Sequence, residues 1–265
     1  MWIDTHCHLD ATEFAGEYDA VATQAAQRNV GCIVIPAVER SNFSTVAELA
    51  ANNSNCVYAL GIHPMYVPQA DAADLQFLRE SIPAALSDPR FVAIGEIGLD
   101  FFIPELRVAA MREKQEFFYA EQLKIARDFD LPVLLHVRRS QDTLLKYLRR
   151  ITVRGGCAHA FNGSFQQAQQ FIALGFKLGF GGAMTFTRAL QIRRLATELS
   201  LDSLVLETDA PDISPSWLHP ERNAPEQIPQ IGAVLAQLRG LDVGAVAAAT
   251  SANAVVAIPR LLLSR

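Results

Sequence analysis

The chain has 265 residues, 50% of them hydrophobic, and a formal net charge of −5. That length and apolar content suit one long core or two shorter ones, and no run of ~18 apolar residues offers a membrane span. The acidic balance excludes a broad cationic footprint for non-specific duplex binding, and the start, with Asp4 and Asp10 and no basic stretch, does not read as a secretion signal, so a cytoplasmic protein is expected.

Eight short apolar runs follow one another along the chain: Trp2 to His6, Cys32 to Ala37, Val57 to Ile62, Phe91 to Gly95, Pro132 to His136, Gly156 to His159, Phe176 to Phe180 and Leu204 to Glu207. Segments of helical periodicity separate them. The longest, Leu106 to Phe129, carries Phe118, Gln122 and Ile125 among charges and stops before Pro132. Another begins at Ser164, an N-cap residue type, runs through Phe165, Ala168 and Ile172, and ends at Gly175. A third follows Thr187, with Ile192, Leu195 and Leu199 on one stripe. Apolar strands alternating with helices imply a parallel sheet covered on both faces. Without a linker or composition break, the expectation is a single α/β domain over residues 1–265, a closed (β/α)8 TIM barrel. An open doubly wound sheet would place a glycine-rich turn after its first strand, where His8-Leu9-Asp10 stands instead. Cys7, Cys32, Cys56 and Cys157 are scattered and form no C-x-x-C, which predicts small buried side chains rather than a zinc knot or redox pair.

In such a barrel the chemistry sits at the C-terminal ends of the strands. Five of the six histidines fall there: His6 and His8 after strand one, His63 after strand three, His136 after strand five and His159 after strand six. Glu96 ends strand four and Glu207 strand eight, with Asp209 beyond. Each alone is as readily a satisfied core residue, but their coincidence on one rim is not. One catalytic zinc takes three protein ligands and a water, whereas His6, His8, Glu96, His136, His159 and Asp209 make six. That set suits two divalent cations sharing one carboxylate and an activated bridging water. Glu96 is the natural bridge, because the four lysines, Lys114, Lys124, Lys146 and Lys177, lie in helical segments or near a strand start and none can serve as a carboxylated one. Asp209 is positioned to hold the water and take its proton, and Glu207 reads as a supporting residue or as packing near a barrel neighbour. Mixed nitrogen and oxygen donors do not distinguish zinc, manganese, magnesium, cobalt or nickel.

The run Thr5-His6-Cys7-His8-Leu9-Asp10, together with Gly61-Ile62-His63-Pro64, Gly95-Glu96-Ile97-Gly98-Leu99-Asp100, Leu135-His136, Glu207-Thr208-Asp209-Ala210-Pro211 and Arg222-Asn223, resembles the TatD family of metal-dependent deoxyribonucleases, within it the YjjV-like branch. The resemblance runs nearly end to end. It implies a first metal at His6, His8, Glu96 and Asp209, a second at Glu96, His136 and His159, and a role for His63 in placing the substrate phosphate. It also implies hydrolysis of DNA phosphodiesters, in single strands or at strand ends. The chain departs from the family pattern at Ala160-Phe161-Asn162-Gly163, where a serine usually precedes the glycine, and at Phe101, where tyrosine is common.

Arg138 and Arg139, just past strand five, are candidate phosphate contacts or caps of the next helix. The Ala210 to Ala224 segment, with Trp217 and His219, reads equally as a lid that stacks on a base or as a solvent-facing loop. Two other functions remain open: a small-molecule hydrolase acting on an ester, lactone or amide with the same metals, and a barrel with a vestigial site that binds a partner. Nothing in the sequence marks a membrane anchor or an obligate protein partner.

Overall fold

A computed structural model describes residues 1–262; the last three residues of the expected domain lie outside the described ones. The strands are β1 (Trp2–Asp4), β2 (Val30–Pro36), β3 (Cys56–Leu60), β4 (Phe91–Asp100), β5 (Val133–Arg138), β6 (Gly156–Ala158), β7 (Phe176–Phe180) and β8 (Leu204–Leu206). Each pairs in parallel with the next in chain order. Between them run α1 (Tyr18–Gln27), α2 (Phe43–Asn52), α3 (Ala72–Ala85), α4 (Ala109–Asp128), α5 (Gln141–Leu148), α6 (Phe165–Ala173) and α7 (Leu190–Glu198), with α8 (Ile228–Arg239) and α9 (Val243–Ala257) after β8. This is the expected TIM barrel.

The barrel closes just past the ends of β1 and β8. Thr5 N donates to Leu206 O at 3.1 Å, Asp209 N to His6 O at 2.9 Å and His8 N to Ala210 O at 2.8 Å. A side chain seals the same join: the buried Asp4 carboxylate accepts from Thr208 N at 3.0 Å, Thr208 Oγ1 at 2.6 Å and His6 N at 3.2 Å.

Two apolar layers result. One lies between the sheet and its helices. The other fills the barrel with small and branched side chains, among them Ile3, Val34, Val57, Ala59, Val92 and Leu134, and meets Ala254, Ala257, Ile258 and Leu261 at its floor. Arg260 fixes this plug at the N-terminal end of the barrel, donating to the carbonyls of Phe91, Leu86 and Asp88 around the start of β4. All four cysteines are buried, as expected, and Cys32 and Cys157 belong to this inner layer.

Local signals hold where they were strong. Ser164 caps α6, its hydroxyl accepting from Gln167 N at 3.1 Å while Gln167 bonds back to Ser164 N, and Gly175 follows with φ of +87°. Among the described residues no single helix is long and apolar enough to cross a membrane.

Several strand bounds differ from expectation, β5 running on past His136 to Arg138 among them, and two of the differences shape the site. β1 ends at Asp4, so His6 and His8 lie beyond it, held between β2 and β8 by backbone bonds that include Cys7 N to Val34 O at 3.1 Å. β4 does not stop at Gly95 but continues to Asp100, because its pairing with β5 slips between Ile94 and Ile97 and then resumes. Gly98, with φ of +150°, makes that resumption possible: a β-carbon there would run into the carbonyl of His136.

Candidate metal centre

Glu96 sits at the slip in β4, where an irregularity re-aims a side chain. It is 1% exposed. One carboxylate oxygen, Oε2, lies 3.0 Å from His6 Nε2 and 3.4 Å from His8 Nε2. The other, Oε1, lies 2.9 Å from His136 Nδ1, 3.1 Å from His159 Nε2 and 3.4 Å from His63 Nε2. Five imidazoles therefore face a single carboxylate, whose two oxygens divide them.

Asp209 completes the Oε2 side, with Oδ1 at 3.6 Å from His6 Nε2 and 3.7 Å from His8 Nε2. Its backbone adopts a left-handed conformation, φ of +56°, which aspartate tolerates better than most residues. Glu207 stands behind His159, Oε1 3.7 Å from Nδ1 while accepting from Ala160 N. That matches its expected supporting place.

The donor set fits divalent cations. His6 Nε2 and His8 Nε2 lie 3.3 Å apart, and each lies 3.0 to 3.7 Å from Glu96 Oε2 and from Asp209 Oδ1; ligands at ~2.1 Å from one tetrahedral ion stand about 3.4 Å apart. Nitrogens also face nitrogens, His6 Nε2 to His8 Nε2 at 3.3 Å and His63 Nε2 to His136 Nδ1 at 2.9 Å, an arrangement that a cation between lone pairs stabilises. The buried Nδ1 atoms of His6 and His159 and Oε2 of Glu207 have no hydrogen-bond partner. Three donor groups recur, His6 with His8 and Asp209, His6 with Glu96 and His159, and His63 with Glu96 and His136.

Burial, reinforced by His159, pushes His6 down to about 3 and leaves it a neutral imidazole. Burial opposes charge on Glu96 as well, but His63, His6 and His159 hold it well below the usual carboxylate range. Asp209 is lifted to about 6 by burial, against the pull of His159 and His8.

Residues with no role assigned from sequence complete the centre. Asp100, buried, accepts from His136 Nε2 at 3.1 Å, which turns Nδ1 toward Glu96. Its place on the same strand as Glu96, four residues on through Gly98, was the available signal. Asp4, beneath His6, ties it to Thr208. Asn223, fully buried, donates to the carbonyls of Thr208 and Asp212 at 2.9 and 3.0 Å, and Arg222 pins the same loop through Glu13 O and Glu17.

The centre opens into a cavity of about 1070 Å³, lined among others by Asp10, Glu13, Phe102, Arg138, Arg139, Asp212 and Ile213. Trp217 is not part of that lining. Its indole donates to Gln227 at 3.0 Å, and His219 packs against Phe186 instead of the centre. The Ala210 to Ala224 segment thus lines the cavity through Pro211, Asp212 and Ile213, while Trp217, bonded to Gln227, stands outside that lining.

A model of the TatD related DNase family matches residues 3–258. The chain belongs to the TatD family. As a member it is a metal-dependent hydrolase. TatD relatives include the "Uncharacterized metal-dependent hydrolase YjjV" of Escherichia coli K12, 42% identical over 90% of each chain. Another is the "3'-5' ssDNA/RNA exonuclease TatD" of Escherichia fergusonii, 32% identical over 94% of this chain and 96% of that one. The crystal structure of the Escherichia coli TatD homologue YjjV superposes with a TM-score of 0.90 at 40% identity, covering 97% of this chain and 98% of that one.

Proposed function

We propose that this chain hydrolyses phosphodiester bonds in single-stranded DNA, working from strand ends, with two divalent cations astride Glu96. The carrying observation is the division of five imidazoles between the two oxygens of one buried carboxylate. In this reading His6, His8, Glu96 and Asp209 would hold the first cation, and Glu96, His136 and His159 the second. When bound, the two cations lower the pKa of a water and offset charge developing on the phosphoryl group. Asp209, 14% exposed and lining the cavity, accepts the proton of that water. His63, beside His136, contacts the phosphate edge that faces β3, and Asp100 fixes the tautomer of His136.

Support for DNA comes from the family's description and from the relative named as an exonuclease of single-stranded DNA and RNA. The cavity of about 1070 Å³ has room for a nucleotide beside the donor cluster. One observation favours the second reading, a small-molecule ester, lactone or amide hydrolase: Asp10, Glu13 and Asp212 line the mouth and oppose a polyanion.

Assays of protein loaded with Mg²⁺, Mn²⁺, Co²⁺ or Zn²⁺ on end-labelled single strands, duplexes and a panel of esters decide between them. The expected result is metal-dependent shortening of single strands, abolished by chelation. Ester hydrolysis with no nuclease activity under any of these metals contradicts the proposal.

A further inference from the structure

The cavity is electrically lopsided. Among the described residues its lining holds two cationic side chains, Arg138 and Arg139, both on the β5 side. The acidic side chains away from the metal centre, Asp10, Glu13 and Asp212, come from the segments after β1 and β8.

The two arginines are organised around one ring. Consecutive residues of a strand point to opposite faces, but Arg139 lies just past β5 with φ of +55°. Both guanidinium groups consequently sit over Phe102, at 3.9 and 4.7 Å from its centroid. Phe102 is 42% exposed, and its backbone N–H is fastened to Asp100 at 2.8 Å. Among the described residues Arg139 has no hydrogen-bond or ion-pair partner. Arg138 has Asp100 at 3.7 Å, a carboxylate shared with His136. The cluster thus adjoins the metal centre through one carboxylate.

We infer that Phe102, Arg138 and Arg139 form a subsite for the nucleotide next to the scissile bond, its phosphate held by the two guanidiniums and its base stacked at Phe102. This rests on the phosphodiesterase reading and adds a direction to it. A polyanionic strand leaves the centre over β5, because the opposite wall carries carboxylates that repel it. Guanidinium suits this position because it binds phosphate oxygens in a fork and stays stacked on an aromatic face while doing so. Stacking on a ring and two cations reads any base, so the subsite confers strand direction and length dependence without base preference.

The test compares wild type with Arg138→Gln/Arg139→Gln and with Phe102→Ala. Affinity for a hydrolysis-resistant phosphorothioate ten-nucleotide single strand is measured by fluorescence anisotropy across a salt series. Hydrolysis of a ten-nucleotide strand is compared with that of bis(p-nitrophenyl) phosphate, which has no flanking phosphate. The double variant is expected to bind the strand about tenfold more weakly, with a salt slope lower by about 0.7, for the one single-strand phosphate that is no longer neutralised. Its kcat/KM for the strand relative to the small diester falls about tenfold. Phe102→Ala is expected to weaken strand binding about fivefold, the low end for base stacking, with the salt slope kept. Unchanged affinity and slope in the double variant overturn the subsite. Equal losses on the two substrates also overturn it, since Arg138 would then act only through Asp100 on His136. Wild type that binds the strand with these dependences yet cleaves no phosphodiester under any metal supports the subsite while contradicting the proposed activity.

Discussion

At the N-terminal end of the barrel, Ile3, Val57, Ala59, Val92 and Leu134 meet Ala257, Ile258 and Leu261 in an apolar floor. At the C-terminal end the same barrel carries Asp4, His6, His63, Glu96, His159 and Glu207, all buried and ionisable. The floor gains from removing apolar surface from water, at about 25 cal/mol per Å². The rim does the reverse: it holds carboxylates and imidazoles where desolvation opposes charge, which is unfavourable unless each is paired or coordinated. One end keeps the fold together and the other gives up some of that stability for chemistry, so substitutions at the two ends should separate stability from turnover.

The largest expected effect is at Glu96. Glu96→Ala removes the group shared by both donor sets, so the content of both metals, read by elemental analysis, should fall together and turnover with it. Loss of only one metal would mean that the two sets are independent.

Asp209→Asn keeps the shape of the site and removes the proposed proton acceptor, and kcat should fall on the order of 10²–10⁴-fold while part of the metal content remains. A nearly fully active variant contradicts the assignment. Asp100→Asn acts one layer out: by loosening His136 it should lower metal affinity or activity roughly 10–100-fold, with the losses confined to the second cation in a stepwise metal titration.

At the floor the pattern inverts. Ile258→Ala should reduce stability by about 2–5 kcal/mol in denaturant unfolding, with kcat per folded molecule unchanged; a comparable loss of kcat would erase the distinction between the two ends.

The remaining difference between the two ends is a pH dependence. Burial lifts Asp4 to about 8 from 3.8. A carboxyl whose folded pKa is raised favours the folded state most below about 4, where both states hold the proton, and that contribution is lost as pH climbs to about 8. In metal-free protein the stability difference between wild type and Asp4→Asn should therefore change across that window and level off above it. A constant difference from pH 4 to 9 contradicts a buried, titrating Asp4.

Much of the fold and the site was legible in the sequence because parallel strands buried on both faces read as unbroken apolar runs, and because histidine is rare enough that five at run ends stand out. β4 was cut short for the same reason: Gly95-Glu96 looks like an ending when apolarity is the guide, and only the resumed pairing to β5 keeps it a strand. The roles of Asp4 and Asp100 escaped notice because each depends on a partner far along the chain, Thr208 for one and His136 for the other. For Trp217 the sequence left a lid and a solvent-facing loop equally open, since proximity to Asp209 in sequence does not specify which way a loop turns its indole. His63 is the residue whose surroundings differ most from expectation: beyond a place for the phosphate, it is a member of the donor cluster at 2.9 Å from His136.

The proposed mechanism centres on two cations sharing Glu96, and anomalous-scattering crystallography of metal-loaded protein tests that proposal most directly. The predicted result is two peaks, one between His6, His8, Asp209 and Glu96 Oε2, the other between Glu96 Oε1, His136 and His159. A single peak at saturating metal, or peaks that Glu96 does not touch, would contradict it.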